Sequence, residues 1–316
     1  MKLPSKNDIE IAYNLIKDLV KHTPIFTSST LNNMFDTKLF FKCENFQKIG
    51  AFKFRGVCNA ILNTDKDNLK NGVATHSSGN HAQALSLAAK ILNIKSYIVM
   101  PNNSPKVKIN AVKGYGAEIT FCEPTLSARE STLNQIVEQT KAEFIHPYNN
   151  FFVVCGQGTA SLELLNEIND LDIIITPVGG GGLLSGTLIY SKNFNPKIKV
   201  YAAEPFGADD AFRSIKSQII QLSINPKTIC DGLLTSLGDL TYNIINNYID
   251  EILLVEDHYT IEAMKLIWER MKIIVEPSAS ITLGAVIKYN ETFKNKKVGL
   301  ILSGGNVDIA NINYFN

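Results

Sequence analysis

No apolar run in this 316-residue sequence approaches the ~18 residues of a membrane-spanning helix. There is no excess of one charge either: 31 Lys and Arg face 30 Asp and Glu, a formal net charge of +1. That balance removes the electrostatic case for nucleic acid or an anionic lipid surface as partner. The opening stretch, MKLPSKNDIEIAYNLIKDLV, has acidic residues and helical periodicity. It lacks the basic, apolar, small-residue order of a secretory signal. Cysteine is scarce: Cys43, Cys58, Cys122, Cys155 and Cys230 are scattered, odd in number and form no C-x-x-C pair. Reduced, mostly buried thiols in a cytoplasmic protein fit that usage. Repeats and low-complexity tracts are absent.

What is present is an ordinary globular composition, 45% hydrophobic and 19% charged. The length predicts two domains or one large α/β unit. Short β-branched runs alternate with helical stretches: KLFFKCE (38–44), GVATHS (72–77), SYIVMP (96–101), AEITFCE (117–123), EFIHPY (143–148), DIIITPV (172–178), KVYAAEP (199–205), EILLVED (251–257) and VGLILSG (298–304). Such runs joined by helices predict an α/β fold of mainly parallel twisted sheets covered on both faces. The regular strand–helix series 72–146 reads as a smaller α/β domain inserted in a larger one formed by 1–71 and 147–316.

Open α/β sheets bind ligands beyond the carboxyl ends of their strands, so the turns there carry the functional reading. PVGGGGLLSG (177–186) puts Gly179, Gly180, Gly181 and Gly182 between a strand and a helix. Converging backbone N–H groups at a helix start suit a phosphate; a closely packed turn is the other use of glycine. The pattern is neither G-x-G-x-x-G nor a P-loop. HSSGNHAQ (76–83) places Ser77, Ser78, Gly79 and Asn80 at a strand end and helix start. Those donors suit a carboxylate, and either serine also suits an ordinary N-cap. Ser303, in LSGGN (302–306), is a hydroxyl at the last strand's end, or a plain turn residue. GAFKFRG (50–56) sets Lys53 between Phe52 and Phe54. The lysine either snorkels to water or is desolvated, which lowers its pKa and makes it nucleophilic. A desolvated lysine, a phosphate cup, a carboxylate turn and a strand-end hydroxyl together are what pyridoxal phosphate and an amino-acid substrate require.

The ordered motifs HTPIFTSSTLN, KCENFQKIGAFKFRG, THSSGNHAQA, GAEITFCEP, GQGTASLE, PVGGGGLLSG, VYAAEP, WERMKIIVEPSA and LSGGNVD resemble, nearly end to end, the fold-type II pyridoxal-phosphate enzymes, the tryptophan-synthase-β-like superfamily. Within it they are similar to the eukaryotic serine racemase branch. The resemblance implies Lys53 as Schiff-base lysine and Gly179–Gly182 as phosphate holders. It implies Asn80 at the pyridoxal ring oxygen, Ser303 at the pyridine nitrogen and Asn149 among the cofactor contacts. Ser77, Ser78, Asn80 and His81 would bind the substrate carboxylate, with Arg129 and Thr235 closing over it. Ser78 would be the second acid/base, on the face opposite Lys53. The implied activity interconverts L- and D-serine and eliminates serine to pyruvate and ammonia. A dehydratase specific for threonine or 3-hydroxyaspartate is the alternative, since SSGN is shared with such enzymes. A non-catalytic amino-acid or nucleotide sensor is the remote one, and intact Lys53 and Ser303 argue against it.

Two further sites follow from the same resemblance. Glu204, Ala208 and Asp210, in AAEPFGADDAF, match a Mg2+ site that also takes Ca2+ or Mn2+. Two carboxylates and a carbonyl suit a hard cation, and a solvated acidic helix start is the plainer use of such residues. Ser28, Ser29, Lys48, Gln83, Tyr115, Lys272 and Asn306 match positions near an activating ATP at a homodimer interface. Ile49 stands where a threonine is familiar, Ala51 where a serine is, and Thr235 where mammalian relatives have serine.

Overall fold

The computed structural model describes residues 2–77, 79–104 and 106–312. Two sheets form. The larger is assembled from β1 (Ile25–Phe26), β2 (Lys38–Cys43), β7 (Ile173–Pro177), β8 (Lys199–Pro205), β9 (Glu251–Val255) and β10 (Lys297–Leu302), in the order β1-β2-β10-β7-β8-β9. The smaller uses β3 (Val73–His76), β4 (Ser96–Pro101), β5 (Glu118–Cys122) and β6 (Glu143–Phe144), in the order β5-β4-β3-β6. All pairings are parallel except β1 with β2.

The parallel sheets follow from the β-branched runs. Ile173, Ile174 and Ile175 of β7 are buried, with the faces of its sheet in two separate apolar cores. Each such side chain contributes about 1.5–3 kcal/mol relative to exposure. A strand apolar on both faces is stable only where helices cover both. β4 and β8 span the residues expected of them. EFIHPY shortens to Glu143–Phe144 because His146 turns the chain: its Nδ1 accepts the N–H groups of Tyr148 (3.2 Å) and Asn149 (2.9 Å), and Pro147 has no N–H to give a ladder. β1, two residues long, carried no period to read.

The apolar core beside the four-stranded sheet is not confined to 72–146. Ile16, Val20, Phe54, Val57, Ile61 and Val153 belong to it together with Val73, Leu85, Ile98 and Met100. Helix Lys53–Asn63 is the shared piece: it packs on helix Phe151–Glu167 and on helix Asn80–Ile91. The carboxyl ends of β3, β7 and β10 lead directly into Ser77, Gly179 and Ser303, which puts the turns singled out above around one cleft.

Candidate active site

That cleft is a cavity of about 390 Å³. Lys53, Ser77, Asn80, His81, Arg129, Gly179, Gly180, Gly181, Gly182, Thr235 and Ser303 all line it. Ser78, the expected second acid/base, lies outside the described residues.

Lys53 opens helix Lys53–Asn63 without a side-chain cap. The turn before it is stitched to the end of β10: Phe52 N–H donates to Ser303 O (3.0 Å), Gly305 N–H to Gly50 O (2.9 Å), and Ala51 bridges Gly304. The lysine and the Ser303 hydroxyl are therefore placed by one small antiparallel contact. The Lys53 ammonium donates to Pro147 O at 2.9 Å and lies 5.1 Å from the Phe52 ring centroid. Burial drives its pKa down to about 8, against the pull of Glu276. Roughly one amine in ten is then neutral at pH 7. Of the two flanking rings, Phe52 lies beside the ammonium, while Phe54 is buried in the core beside the smaller sheet.

The glycine loop has no room for side chains. A Cβ on Gly180 would lie 2.3 Å from Tyr148 Cδ1, and Gly181 has φ +85°. Gly181 is also the N-cap of helix Gly182–Phe194, whose first N–H groups have no partner within the helix. On the opposite wall, Ser77 Oγ accepts from Gly79 N–H (3.2 Å). His81 Nε2 donates to Ile145 O (3.0 Å), while its buried Nδ1 has no partner. Burial holds His81 well below its ordinary pKa, so the imidazole is neutral. Ser303 is buried, and its Oγ makes only a 3.4 Å contact to Ser278 O.

Glu276 was quoted within a motif but given no role by sequence reasoning, and it lines the cavity. Burial pushes its carboxyl up to about 8. Its Oε1 accepts from Asn80 Nδ2 (2.9 Å), and Asn80 Oδ1 accepts from Asn306 Nδ2 (2.8 Å). The signal was available: Glu276 stands in IIVEPSA as Lys53 stands in AFKFRG, a charge in an apolar setting. Lys108, Asp231 and Tyr148 also line the cavity and carried no local signal.

Other expected residues lie elsewhere. Asn149 does not line the cavity; its Oδ1 accepts from Leu240 N–H (2.9 Å), fixing helix Asp239–Tyr248. Glu204, the penultimate residue of β8, and Asp210, five residues beyond its end, are both buried. Glu204 accepts from the N–H groups of Ala211 (2.7 Å) and Phe212 (2.8 Å), and burial raises its pKa well above the usual carboxylate range. Burial lifts Asp210 to about 6, and its Oδ2 has no partner. Among the described residues no three His, Cys, Asp or Glu side chains cluster for a metal, so a cation here would need the Ala208 carbonyl and water. Two desolvated carboxylates with an orphaned oxygen fit that donor set. Ser28 and Ser29 line a surface cavity of about 400 Å³ with Arg270 and Met271. Lys48, Gln83, Tyr115, Lys272 and Asn306 do not line it.

The chain matches a family model described as pyridoxal-phosphate dependent enzyme over residues 16–304 and belongs to that family. It is thus an enzyme that works with pyridoxal phosphate, and the cavity fits the group: a dried lysine, a side-chain-free glycine cradle and a poorly bonded hydroxyl. A serine racemase of Dictyostelium discoideum is 53% identical over 311 residues, covering 96% of this chain and 95% of that protein. A crystal structure of serine racemase from the same organism has a TM-score of 0.92 at 52% identity, over 96% of this chain and 99% of that one. A beta-hydroxyaspartate dehydratase of Paracoccus denitrificans is 45% identical over 309 residues, 98% of each chain.

Proposed function

We propose that the chain interconverts L- and D-serine and also eliminates serine to pyruvate and ammonia. The observation that carries this is the meeting of Lys53, the glycine loop, the 77–81 turn and Ser303 in one cavity, together with the serine racemases among its relatives. Pyridoxal phosphate, when bound, supplies the electron sink that makes an amino acid's α-proton removable. The Gly179–Gly182 backbone would hold the phosphate and Asn80 the ring oxygen. Ser303 would meet the ring nitrogen with a neutral hydroxyl, which favours α-proton removal and β-elimination over transamination. Ser77, Asn80 and His81 orient the substrate carboxylate. Lys53, partly neutral near pH 7, takes the α-proton on one face. Ser78 returns a proton on the other, which racemisation requires.

The test is Ser78→Ala, with D-serine and pyruvate measured from L-serine. Racemisation falls by about 10²–10⁴-fold, the usual contribution of a positioned acid or base, while elimination from L-serine persists. Equal falls in both products would remove Ser78 from the chemistry. The dehydratase relative supports a second reading, specificity for 3-hydroxyaspartate, with threonine the other substrate implied by the resemblance of the sequence. Chiral product analysis with L-Ser, D-Ser, L-Thr and 3-hydroxyaspartate separates the two.

The reading extends to a divalent cation at Glu204, Ala208 and Asp210, to ATP as an activator near Ser28 and Ser29, and to a cytoplasmic homodimer. Its two parts are 1–71 with 147–316, and 72–146. The two sheets support that division, and the core they share weighs against a free-standing small domain. Among the described residues no helix is long and apolar enough to cross a membrane.

A further inference from the structure

Lys108 reaches the cavity from helix Lys106–Gly114, on the side of the four-stranded sheet. A Cβ on Gly79 would lie 4.0 Å from its Nζ. The ammonium therefore sits beside the Ser77–Asn80 turn, the place given above to the substrate's carboxylate. Its ion-pair partner is Asp231, from the loop that follows Thr228 on the side of the larger sheet. The Lys108 side chain is 13% exposed and that of Asp231 50%, so the cation is held inside and the anion faces outward. The loop is anchored independently of this pair. Thr228 Oγ1 donates to Asp257 Oδ1 (2.5 Å), and Gly232 N–H donates to Ser278 Oγ (2.9 Å).

We propose that Lys108 is a further ligand of the substrate's carboxylate, and that Asp231 is an internal carboxylate which the substrate displaces from it. The proposal rests on the amino-acid substrate reading. Releasing Asp231 is offset because a half-exposed carboxylate regains water, while the enclosed Lys108 ammonium exchanges one carboxylate for another and is never left unpaired. Capture of the incoming carboxylate deeper in the cavity gains a charge-assisted hydrogen bond.

The exchange predicts opposite signs for two variants. Glycine carries the amine and the carboxylate without a leaving group, so its binding to the cofactor-loaded protein is read by calorimetry. Lys108→Met weakens glycine about 10–100-fold, the range of a hydrogen bond to a charged group. Asp231→Asn tightens it about two- to tenfold, because the competitor is gone. The double variant follows Lys108→Met. In turnover, Lys108→Met raises KM for serine by more than it lowers kcat. A strap that merely holds the two sheets together would weaken glycine in both single variants, and that result overturns the proposal. Cofactor content and circular dichroism establish that each variant is folded. Should Lys108→Met fail to fold, the sign for Asp231→Asn decides: unchanged or weaker binding overturns the proposal. A wild-type protein that binds no glycine overturns the amino-acid reading, and this proposal with it.

Discussion

Two cations stand two residues apart on one helix and live in opposite surroundings, one sealed in the core and one at the wall of the cavity. Arg55 is fully buried and paired on every side. Its Nε donates to Glu44 Oε2 (2.7 Å), its Nη1 to Glu163 Oε1 (2.7 Å), and its Nη2 to Glu44 Oε1 (2.9 Å) and Glu163 Oε2 (2.7 Å). Lys42 joins at 2.6 Å from Glu163 Oε2, and Thr23 Oγ1 donates to Glu44 Oε1 (2.5 Å). The pairing raises the Arg55 pKa and lowers that of Glu163 despite their burial. Lys53 has one carbonyl and a distant aromatic face, and burial wins. The same helix thus carries a cation that is fully paired beside one that has a single acceptor and a lowered pKa. Burial of charge alone does not mark an active site; burial without a matched partner does.

The sharpest way to break the comparison is Lys53→Ala. Activity is abolished, the fold is retained, and no cofactor stays on the protein through dialysis and borohydride reduction. Cofactor retained covalently in the mutant would remove Lys53 from its role. The counterpart is Arg55→Met, which leaves Glu44 without a cation and Glu163 with Lys42 alone. Breaking a buried pair costs about 3–5 kcal/mol, read as a fall in urea-unfolding stability. A loss below about 1 kcal/mol would show that the network is not what holds this helix.

A third test uses pH. Glu276 titrates near 8 in the folded chain against an ordinary 4.5. A raised acid pKa means the native state keeps a proton that the unfolded chain has lost. Its contribution is therefore fully present below about pH 4.5 and is lost as pH rises to 8. Glu276→Gln removes that slope. The stability difference between wild type and variant, measured on cofactor-free protein, should change across this window and be flat above it. Glu163, paired and lowered, acts in the opposite sense, losing its stabilisation as pH falls through 4.5 and below, and cancels in the difference because both proteins carry it. A constant difference from pH 4.5 to 8 would mean that Glu276 is ionised throughout. The smallest effect expected is from chelation. EDTA should lower both melting temperature and turnover, by up to about 2.7 kcal/mol of stability if the cation stood at a hundred times its Kd. Asp210→Asn should make the protein indifferent to EDTA. No response in the wild type would leave Glu204 and Asp210 as structural acids.

The four glycines, the 77–81 turn and Ser303 were legible in the sequence because each follows a strand, and Lys53 because a lysine between two phenylalanines is odd. The rest required long-range contact. Nothing around Arg55 announces partners 11 and 108 residues away. Lys108 and Asp231, 123 residues apart, are commonplace surface residues until the fold sets them on facing walls. Asn149 shows the converse: a residue named by resemblance whose oxygen here serves a helix start. The alternation of strands was legible because parallel sheets demand apolar runs. β6 was overestimated because its termination lies in the imidazole of His146, which accepts backbone N–H groups.

Helix Lys53–Asn63 lends Phe54, Val57 and Ile61 to the core beside the smaller sheet, while the turn before it is sewn to the end of β10 in the larger one. A gene cut at the boundaries of 72–146 would leave each fragment with half of a greasy socket. Each piece made alone is expected to precipitate, and soluble material to come from making both in the same cell. The helix that carries Lys53 is also the tenon of the joint.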